Sequence, residues 1–181
     1  MFAEKKFTII LNFSRLKILS FSGCVKSMKK YKGERILAID PGTKHMGVAF
    51  LDKGKLIYSS VKVIRERKSP HEIMKTARTI ILRLISDYKP QVVVAEKTFF
   101  ATSRSSALLN VLYDEIKSIS QRKRLRFISY APGTMKKFIS GDGRASKKTV
   151  ARMVILRYPE LKAYLTQDRK WKESFQYNMF D

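Results

Sequence analysis

Two short apolar runs in this chain each end at an acidic residue. The first, with the sequence Ile-Leu-Ala-Ile, ends at Asp40, and Pro41 and Gly42 then give a turn signal. The second, Val-Val-Val-Ala, ends at Glu96. Short continuous runs of this kind predict buried strands, and the second run is apolar enough to be a central strand covered on both faces. The sequence therefore predicts a sheet in which two strands terminate at carboxylates.

The other apolar patterns alternate between strand-like and helix-like segments. Apolar residues at helical spacing follow Ser69 and Pro70, which predicts a helix with Ser69 as its N-cap. Together the patterns predict one α/β domain with a mixed five-stranded sheet flanked by helices. The predicted strands are Arg35–Asp40, Met46–Leu51, Lys55–Ile64, Val92–Glu96 and Leu125–Ser129, and the predicted helices are Pro70–Tyr88, Ser105–Arg122, a short helix from Pro132 to before Gly141, and Ser146–Arg157.

Basic residues greatly outnumber acidic ones. The chain has 38 lysine and arginine residues against 15 acidic residues, and its formal net charge is +23. A field of this strength attracts polyanions and favours fast, salt-sensitive association, so nucleic acid is the expected partner. Composition alone does not distinguish an enzyme from a nucleic-acid-binding or ribosome-associated protein.

Cysteine and histidine are too few for several kinds of site. Cys24 is the only cysteine, which excludes an intramolecular disulfide and a cysteine-cluster zinc site, and it suits a reducing cytoplasm. The two histidines, His45 and His71, are far apart in sequence. We therefore expect oxygen ligands for any bound metal.

The strand-ending acids are candidate ligands of such a metal. If the two strands lie side by side, Asp40 and Glu96 meet at one edge of the sheet, where a hard divalent cation prefers carboxylate oxygens. A lone acid at a strand end is more often an ordinary surface residue. Two acids at matching strand ends, in a chain with few acids, favour the metal site.

The first 27 residues differ from the rest of the chain. The apolar run between Phe7 and Cys24 is interrupted by Arg15 and Lys17, and its pieces are far shorter than the roughly 20 residues needed to span a bilayer. We therefore expect neither export nor lipid attachment. The expected natural start is Met28, with residues 1–27 a dispensable and non-native extension.

The segments around both acids resemble motifs of a nuclease family. Residues 36–43, followed by Gly47, resemble the first motif of the RuvC-type Holliday junction resolvases, which belong to the RNase H-like superfamily. Residues 94–99 are similar to the second motif, in which a strand-ending glutamate precedes an aromatic residue, here Phe99. Residues 131–153 are similar to the segment that carries the substrate-facing lysines and a glycine pair, here Gly141 and Gly143. The resemblance covers about residues 35–158.

The last motif of the family has a counterpart at residues 178–181. It places an acidic residue or histidine three positions before an essential aspartate, a spacing that Asn178 and Asp181 fit. Asn178 departs from the usual ligand, which implies that a second metal is held less tightly. Family members continue the helix beyond this aspartate, so the resemblance implies an RNase H-like nuclease domain over residues 28–181 that is truncated at its C-terminus.

The resemblance also implies a reaction and its partners. It implies hydrolysis of phosphodiester bonds in branched DNA with two Mg²⁺ ions, or Mn²⁺ in their place, which activate water and stabilise the leaving oxygen. Asp40 would bridge the ions, Glu96 and Asp181 would each hold one, and Asn178 would be a weak ligand. A homodimer formed through the helix over residues 105–122, and branch-migration proteins, are the implied protein partners.

Two lysines and one aromatic residue receive roles from the same resemblance. Lys136 and Lys147 match positions near the scissile phosphate, where positive charge stabilises the transition state. Phe99 would stack on an unpaired junction base, with Phe100 as the alternative. In a chain so rich in lysine, any given lysine is more often a general contributor to the positive field or a solvated side chain. Adjacent aromatic residues after a central strand are as often core residues as base-stacking platforms.

Three other functions remain open from the sequence. The segment from Asp40 to Ala49 also resembles the YqgF-type proteins of ribosomal RNA maturation, although the similarity from Ala131 onward favours the resolvase. The Asp-Pro-Gly-Thr pattern is similar to the phosphate loop of actin-like sugar kinases, but those enzymes need two such domains. A non-catalytic nucleic-acid-binding protein on a nuclease fold is the third alternative, favoured by Asn178.

Overall fold

Five strands form one mixed sheet in the computed structural model, which describes residues 33–64, 69–97 and 104–162. Their order across the sheet is β3-β2-β1-β4-β5. β2 runs antiparallel to both β1 and β3, whereas β4 runs parallel to both β1 and β5. The predicted mixed five-stranded sheet is therefore confirmed. The strands are β1 (Arg35–Asp40), β2 (His45–Asp52), β3 (Lys55–Val63), β4 (Val92–Glu96) and β5 (Arg126–Tyr130).

Helices cover both faces of the sheet. We number them α1 (Pro70–Tyr88), α2 (Arg104–Arg122), α3 (Pro132–Ser140) and α4 (Lys147–Arg157), and a short 3-10 helix follows at Pro159–Leu161. None of the helices in the described parts of the chain is long and apolar enough to cross a membrane.

The first helix begins where its sequence signals predict. The Ser69 side chain accepts a hydrogen bond from the Glu72 backbone N–H, and the Glu72 carboxylate accepts one from the Ser69 backbone N–H. This reciprocal pair is a capping box, and such a cap contributes about 1 kcal/mol to helix stability. Lys89, in the left-handed conformation, ends the helix.

The sheet separates two apolar cores. Successive residues of a strand point to opposite faces, so Leu37 and Ile39 pack against α1 and α2, while Ile36 and Ala38 pack against α3 and α4. The valines of β4 divide in the same way. Residues 36–39 of β1 and 92–95 of β4 are therefore apolar on both faces of the sheet, as the continuous run in β4 predicts.

The element boundaries agree closely with the sequence prediction. The ranges of β1, β4 and α1 match it, and α4 begins at Lys147 with Ser146 as its N-cap, one residue after the predicted start. The other boundaries differ by at most one residue, and β5 is displaced by one at both ends, since it begins at Arg126 rather than Leu125. Arg124 has a positive φ of 55° and the Leu125 N–H bonds back to the Ser120 carbonyl, so pairing with β4 starts one residue later.

Candidate metal and nucleic-acid site

Asp40 and Glu96 lie next to each other at one edge of the sheet. Ile39 is opposite Ala95 in the parallel pairing of β1 with β4, and the two acids are the next residue of each strand. Neighbouring strands are about 4.8 Å apart, so the register brings both carboxylates within reach of one cation. On the other side of Asp40, the opposing residue of β2 is Gly47, which has no side chain to fill the space.

Both acids belong to the same face of the sheet. Ile39 and Ala95 pack in the core under α1 and α2. Because side chains alternate along a strand, the next residues, Asp40 and Glu96, belong to the opposite face, which α3 and α4 cover. The candidate ligands and the two lysine-bearing helices therefore share one side of the sheet.

Asp40 is unusually enclosed for a carboxylate. It is 4% exposed and is the only buried acidic or basic residue in the described parts of the chain, whereas Glu96 is half-buried. Asp40 interacts with its surroundings, although no described residue donates a hydrogen bond to its Oδ2 atom. Burying a carboxylate is costly unless an ion pair, hydrogen bonds or a metal compensates. A cation bound beside Asp40 would therefore stabilise the fold as well as serve any chemistry.

The third strand of the parallel set completes this edge. Tyr130, the last residue of β5, is opposite Glu96, and its carbonyl accepts a hydrogen bond of 2.8 Å from the Lys97 backbone N–H. The chain then turns at Ala131 directly into α3, whose first residue is Pro132. The N-terminus of α3 therefore lies at the same edge as the two acids.

The two predicted phosphate-contacting lysines lie on the helices of this face. Lys136 is in the middle of α3, and Lys147 is the first residue of α4; both are half-buried. Met135 and Val150, their neighbours on these helices, pack into the core beneath the sheet. Lys147 also makes an interaction within the protein. Both lysines are therefore held on the carboxylate face and not on the opposite one.

Three predicted site residues lie outside the described residues. They are the predicted base-stacking residue Phe99, with its alternative Phe100, and the predicted metal ligands Asn178 and Asp181. Among residues 33–64, 69–97 and 104–162, no group of three histidine, cysteine or acidic side chains is placed to hold a metal. Within that part of the chain, the candidate oxygen ligands at the edge are the pair Asp40 and Glu96.

A family profile and close relatives identify the fold with a nuclease family. The profile described as "Crossover junction endodeoxyribonuclease RuvC" matches residues 36–167. The chain belongs to the RuvC family. The family assignment supports the resolvase resemblance over the ribosomal RNA alternative that the sequence left open.

Curated members of the family resemble much of the chain. The RuvC of Hydrogenovibrio crunogenus is 33% identical over 125 residues, which are 67% of this chain and 73% of that protein. The RuvC of Rickettsia bellii is 30% identical over 138 residues, which are 74% of this chain and 88% of that protein.

Solved structures show the same fold. Thermus thermophilus RuvC in complex with a Holliday junction substrate aligns with a TM-score of 0.59 at 23% identity, covering 67% of this chain and 78% of that one. The yeast mitochondrial Holliday junction resolvase aligns with a TM-score of 0.56 at 14% identity, covering 83% of this chain and 80% of that one. The predicted RNase H-like fold of the RuvC type is therefore confirmed.

The sequence predicts β5 and a helix from Pro132 but not their place at the carboxylate edge. Tyr130 beside Glu96 and the start of α3 at Pro132 form one flank of the carboxylate edge. A signal for this arrangement was available, because a proline directly after a strand-like segment is typical of a helix that begins at the strand's carboxyl end.

Proposed function

We propose that the chain is a metal-dependent endonuclease that hydrolyses phosphodiester bonds of branched DNA. One observation carries the proposal: the parallel register of β1 and β4 puts Asp40 and Glu96 side by side at the carboxyl edge of the sheet. The family description, crossover junction endodeoxyribonuclease, supplies the reaction class. The net charge of +23 supports a polyanionic substrate.

The residues at this edge fit a divalent cation. Two carboxylates from adjacent strands, with only a glycine on the flanking strand, provide the hard oxygen ligands and the space that Mg²⁺ or Mn²⁺ requires. We infer that Asp40 and Glu96 hold the metal, that Asp181 completes the ligand set, and that Asn178 contributes weakly through its amide oxygen. Two bound metal ions would lower the pKa of a water molecule and offset the negative charge that develops on the leaving oxygen.

The protein's own groups bind and orient the DNA. Lys136 and Lys147, on the carboxylate face, are proposed to contact the phosphate next to the bond that is cleaved and to stabilise its added negative charge. Phe99 is proposed as a platform for an unpaired base at the junction centre. A second copy of the chain, docked through α2, would supply the second cleavage of a symmetric junction.

Cleavage of a synthetic four-way junction tests the proposal directly. With Mg²⁺ we expect single-turnover cleavage that EDTA abolishes and that is much slower on linear duplex DNA. Asp40→Asn should abolish cleavage while junction binding, measured by gel shift with Ca²⁺, stays equal or becomes slightly tighter, because the change removes a metal ligand and one negative charge.

Asp52→Asn is the matched control for Asp40→Asn. Asp52 on β2 is opposite Arg35, at the other end of β1. Its replacement by asparagine therefore removes the same charge from the opposite edge of the sheet. This variant should cleave at the wild-type rate. Junction binding without any metal-dependent cleavage by the wild-type chain would instead support a non-catalytic binding protein on this fold.

A further inference from the structure

The loop between α3 and α4 packs directly on the first turn of α3. A Cβ atom on Gly143 would lie 3.1 Å from the backbone oxygen of Gly133 and 3.7 Å from the Cβ of Lys137. The first distance is shorter than ordinary van der Waals contact, so a Cβ at residue 143 requires the loop and the first turn of α3 to separate by a few tenths of an ångström. Glycine at this position allows the observed approach without that shift.

This contact requires the chain to turn back along α3. Gly133 and Ser140 are seven residues apart in the helix, a rise of about 10 Å, and residues 141–143 must return over that length. Gly141 makes the reversal with a φ of 80°, and its N–H donates to the Lys137 carbonyl at 2.8 Å. The loop therefore leaves the end of α3 and comes back to its beginning.

Hydrogen bonds hold the rest of the loop in this form. The Oδ1 atom of Asp142 accepts a bond from the Arg144 backbone N–H at 2.8 Å, and its carbonyl accepts one from the Ala145 N–H at 3.2 Å. Ser146 then caps α4 by accepting a bond from the Thr149 N–H at 3.2 Å. Ala145 itself is buried in the core. The loop therefore has a fixed shape between Gly143 and the start of α4.

The beginning of α3 is at the carboxylate edge, so the start of α4 is held there as well. Gly133 lies three residues after Tyr130, which is opposite Glu96. Lys147 lies four residues after Gly143, a span of at most about 14 Å even for an extended chain. The contact between Gly143 and Gly133 therefore limits how far Lys147 can lie from Asp40 and Glu96.

We propose that Gly143 is a positioning residue whose contact with Gly133 holds Lys147 at the carboxylate edge. The proposal rests on the proposed function, because it takes Lys147 as a group that assists phosphodiester cleavage. Gly143 itself touches no substrate in this proposal. It sets the place of the α4 N-terminus.

Gly143→Ala tests the proposal, with Gly133→Ala as its matched control. The φ of Gly143 lies outside the left-handed region, so alanine is conformationally allowed and the cost is the lost close approach. A Cβ on Gly133 would meet only the Gly143 oxygen, at 4.0 Å, which is an ordinary contact. We expect Gly143→Ala to slow single-turnover cleavage about tenfold with binding nearly unchanged, and Gly133→Ala to cleave as the wild type does.

A double-mutant cycle separates positioning from a general loss of stability. If Gly143 acts through Lys147, Gly143→Ala should cause no further loss of rate in the Lys147→Ala background. If the rate losses of Gly143→Ala and Lys147→Ala multiply in the double variant, the proposal is overturned. A wild-type cleavage rate in folded Gly143→Ala would also overturn it. The same holds if the slower cleavage by Gly143→Ala is explained by a lower Tm, so that the wild-type rate returns when the reaction is run at a lower temperature.

A second variant covers the case in which Gly143→Ala does not fold. Inserting one glycine between Gly143 and Arg144 adds no side chain but lengthens the path to Lys147 by up to about 3.5 Å. We expect the same loss of rate with retained binding, and an unchanged rate would contradict the proposal. If Lys147→Ala cleaves normally while Asp40→Asn does not, the positioning role fails and the proposed function stands.

Discussion

The Nε atom of Arg78 on α1 lies 2.9 Å from the Oε1 atom of Glu115 on α2. Arg122 approaches the same oxygen at 3.1 Å, and the Glu115 side chain is 14% exposed. Burial raises the pKa of Glu115, but hydrogen bonds and positive charge from Arg78 and then Arg122 outweigh it, so the pKa is lowered overall. Helices α1 and α2, which cover the face of the sheet opposite the two acids, are thus joined by a partly buried ionic network.

Glu115→Gln should lower stability in a pH-dependent way. A lowered carboxyl pKa contributes stability above the unfolded value of about 4.3, and this contribution is lost as the pH falls through the folded pKa. We expect the variant to be less stable by on the order of 1 kcal/mol at pH 7, since both arginines are largely exposed to solvent. The difference should shrink steadily below about pH 4.

Thermal unfolding followed by circular dichroism between pH 3 and pH 8 measures this difference. The control is Asp87→Asn, because Asp87 faces Arg83 at 3.7 Å with both side chains exposed. Exposed pairs of this kind contribute less than about 1 kcal/mol, so the control should change little at any pH. Equal pH profiles for the two variants would show that the arginine network does not stabilise the helix pair.

Lys147→Ala should slow cleavage more than it weakens binding. A group that stabilises the transition state affects the chemical step, whereas a general phosphate contact affects binding and the salt dependence. Lys148, its exposed neighbour, is the matched control. We expect Lys148→Ala to reduce the slope of log Kd against log salt by about one with an unchanged single-turnover rate. The reverse pattern would assign catalysis to Lys148 and only attraction to Lys147.

Phe99→Ala should remove the ring on which an unpaired base at the junction centre is proposed to stack. Stacking of a base on an aromatic ring contributes about 1–3 kcal/mol, so we expect weaker junction binding and little change on duplex DNA. Fluorescence of 2-aminopurine at the branch point measures stacking directly, and it should rise for Phe99→Ala but not for Phe100→Ala. The opposite result would transfer the role to Phe100.

A chain that begins at Met28 should melt at the same temperature as the full chain. Residues 1–27 carry five basic residues and one acidic residue, so their removal leaves a strongly basic domain. We expect cleavage to be retained and binding to weaken only slightly at low salt. A fall of several degrees in Tm, measured by differential scanning calorimetry, would show that these residues belong to the folded domain.

Some features of this fold were predictable because their signals are local. The capping box needs only Ser69 and Glu72, and the end of β1 needs only an apolar run that stops at Asp40 before proline and glycine. The pairing of β1 with β4 joins residues more than fifty positions apart, and many registers satisfy the same apolar pattern. The adjacency of Asp40 and Glu96 was thus a hypothesis until the register was known.

The packing of the glycines was beyond sequence reasoning for a different reason. The family resemblance marks Gly143 as one of a glycine pair but gives no physical reason for it, since its φ is one that other residues adopt and the close contact is with the Gly133 carbonyl ten residues away. Arg124 illustrates the same difficulty at β5, because its positive φ gives no sequence signal and delays the strand by one residue. A contact between two segments determines the first feature, and hydrogen bonds of the turn that ends α2 determine the second.

Consecutive side chains of β4 pack in different cores, and this restricts insertions and deletions within the strand in genes of this family. Val93 and Val94 are consecutive residues, yet each fills a different core. An insertion or deletion of a single codon within the strand would exchange the faces of every later residue and turn Glu96 away from Asp40. Such events should be eliminated by selection even when the inserted residue is itself apolar. Changes in gene length should therefore accumulate in connecting segments, and the interval from the start of β4 to its glutamate should stay constant.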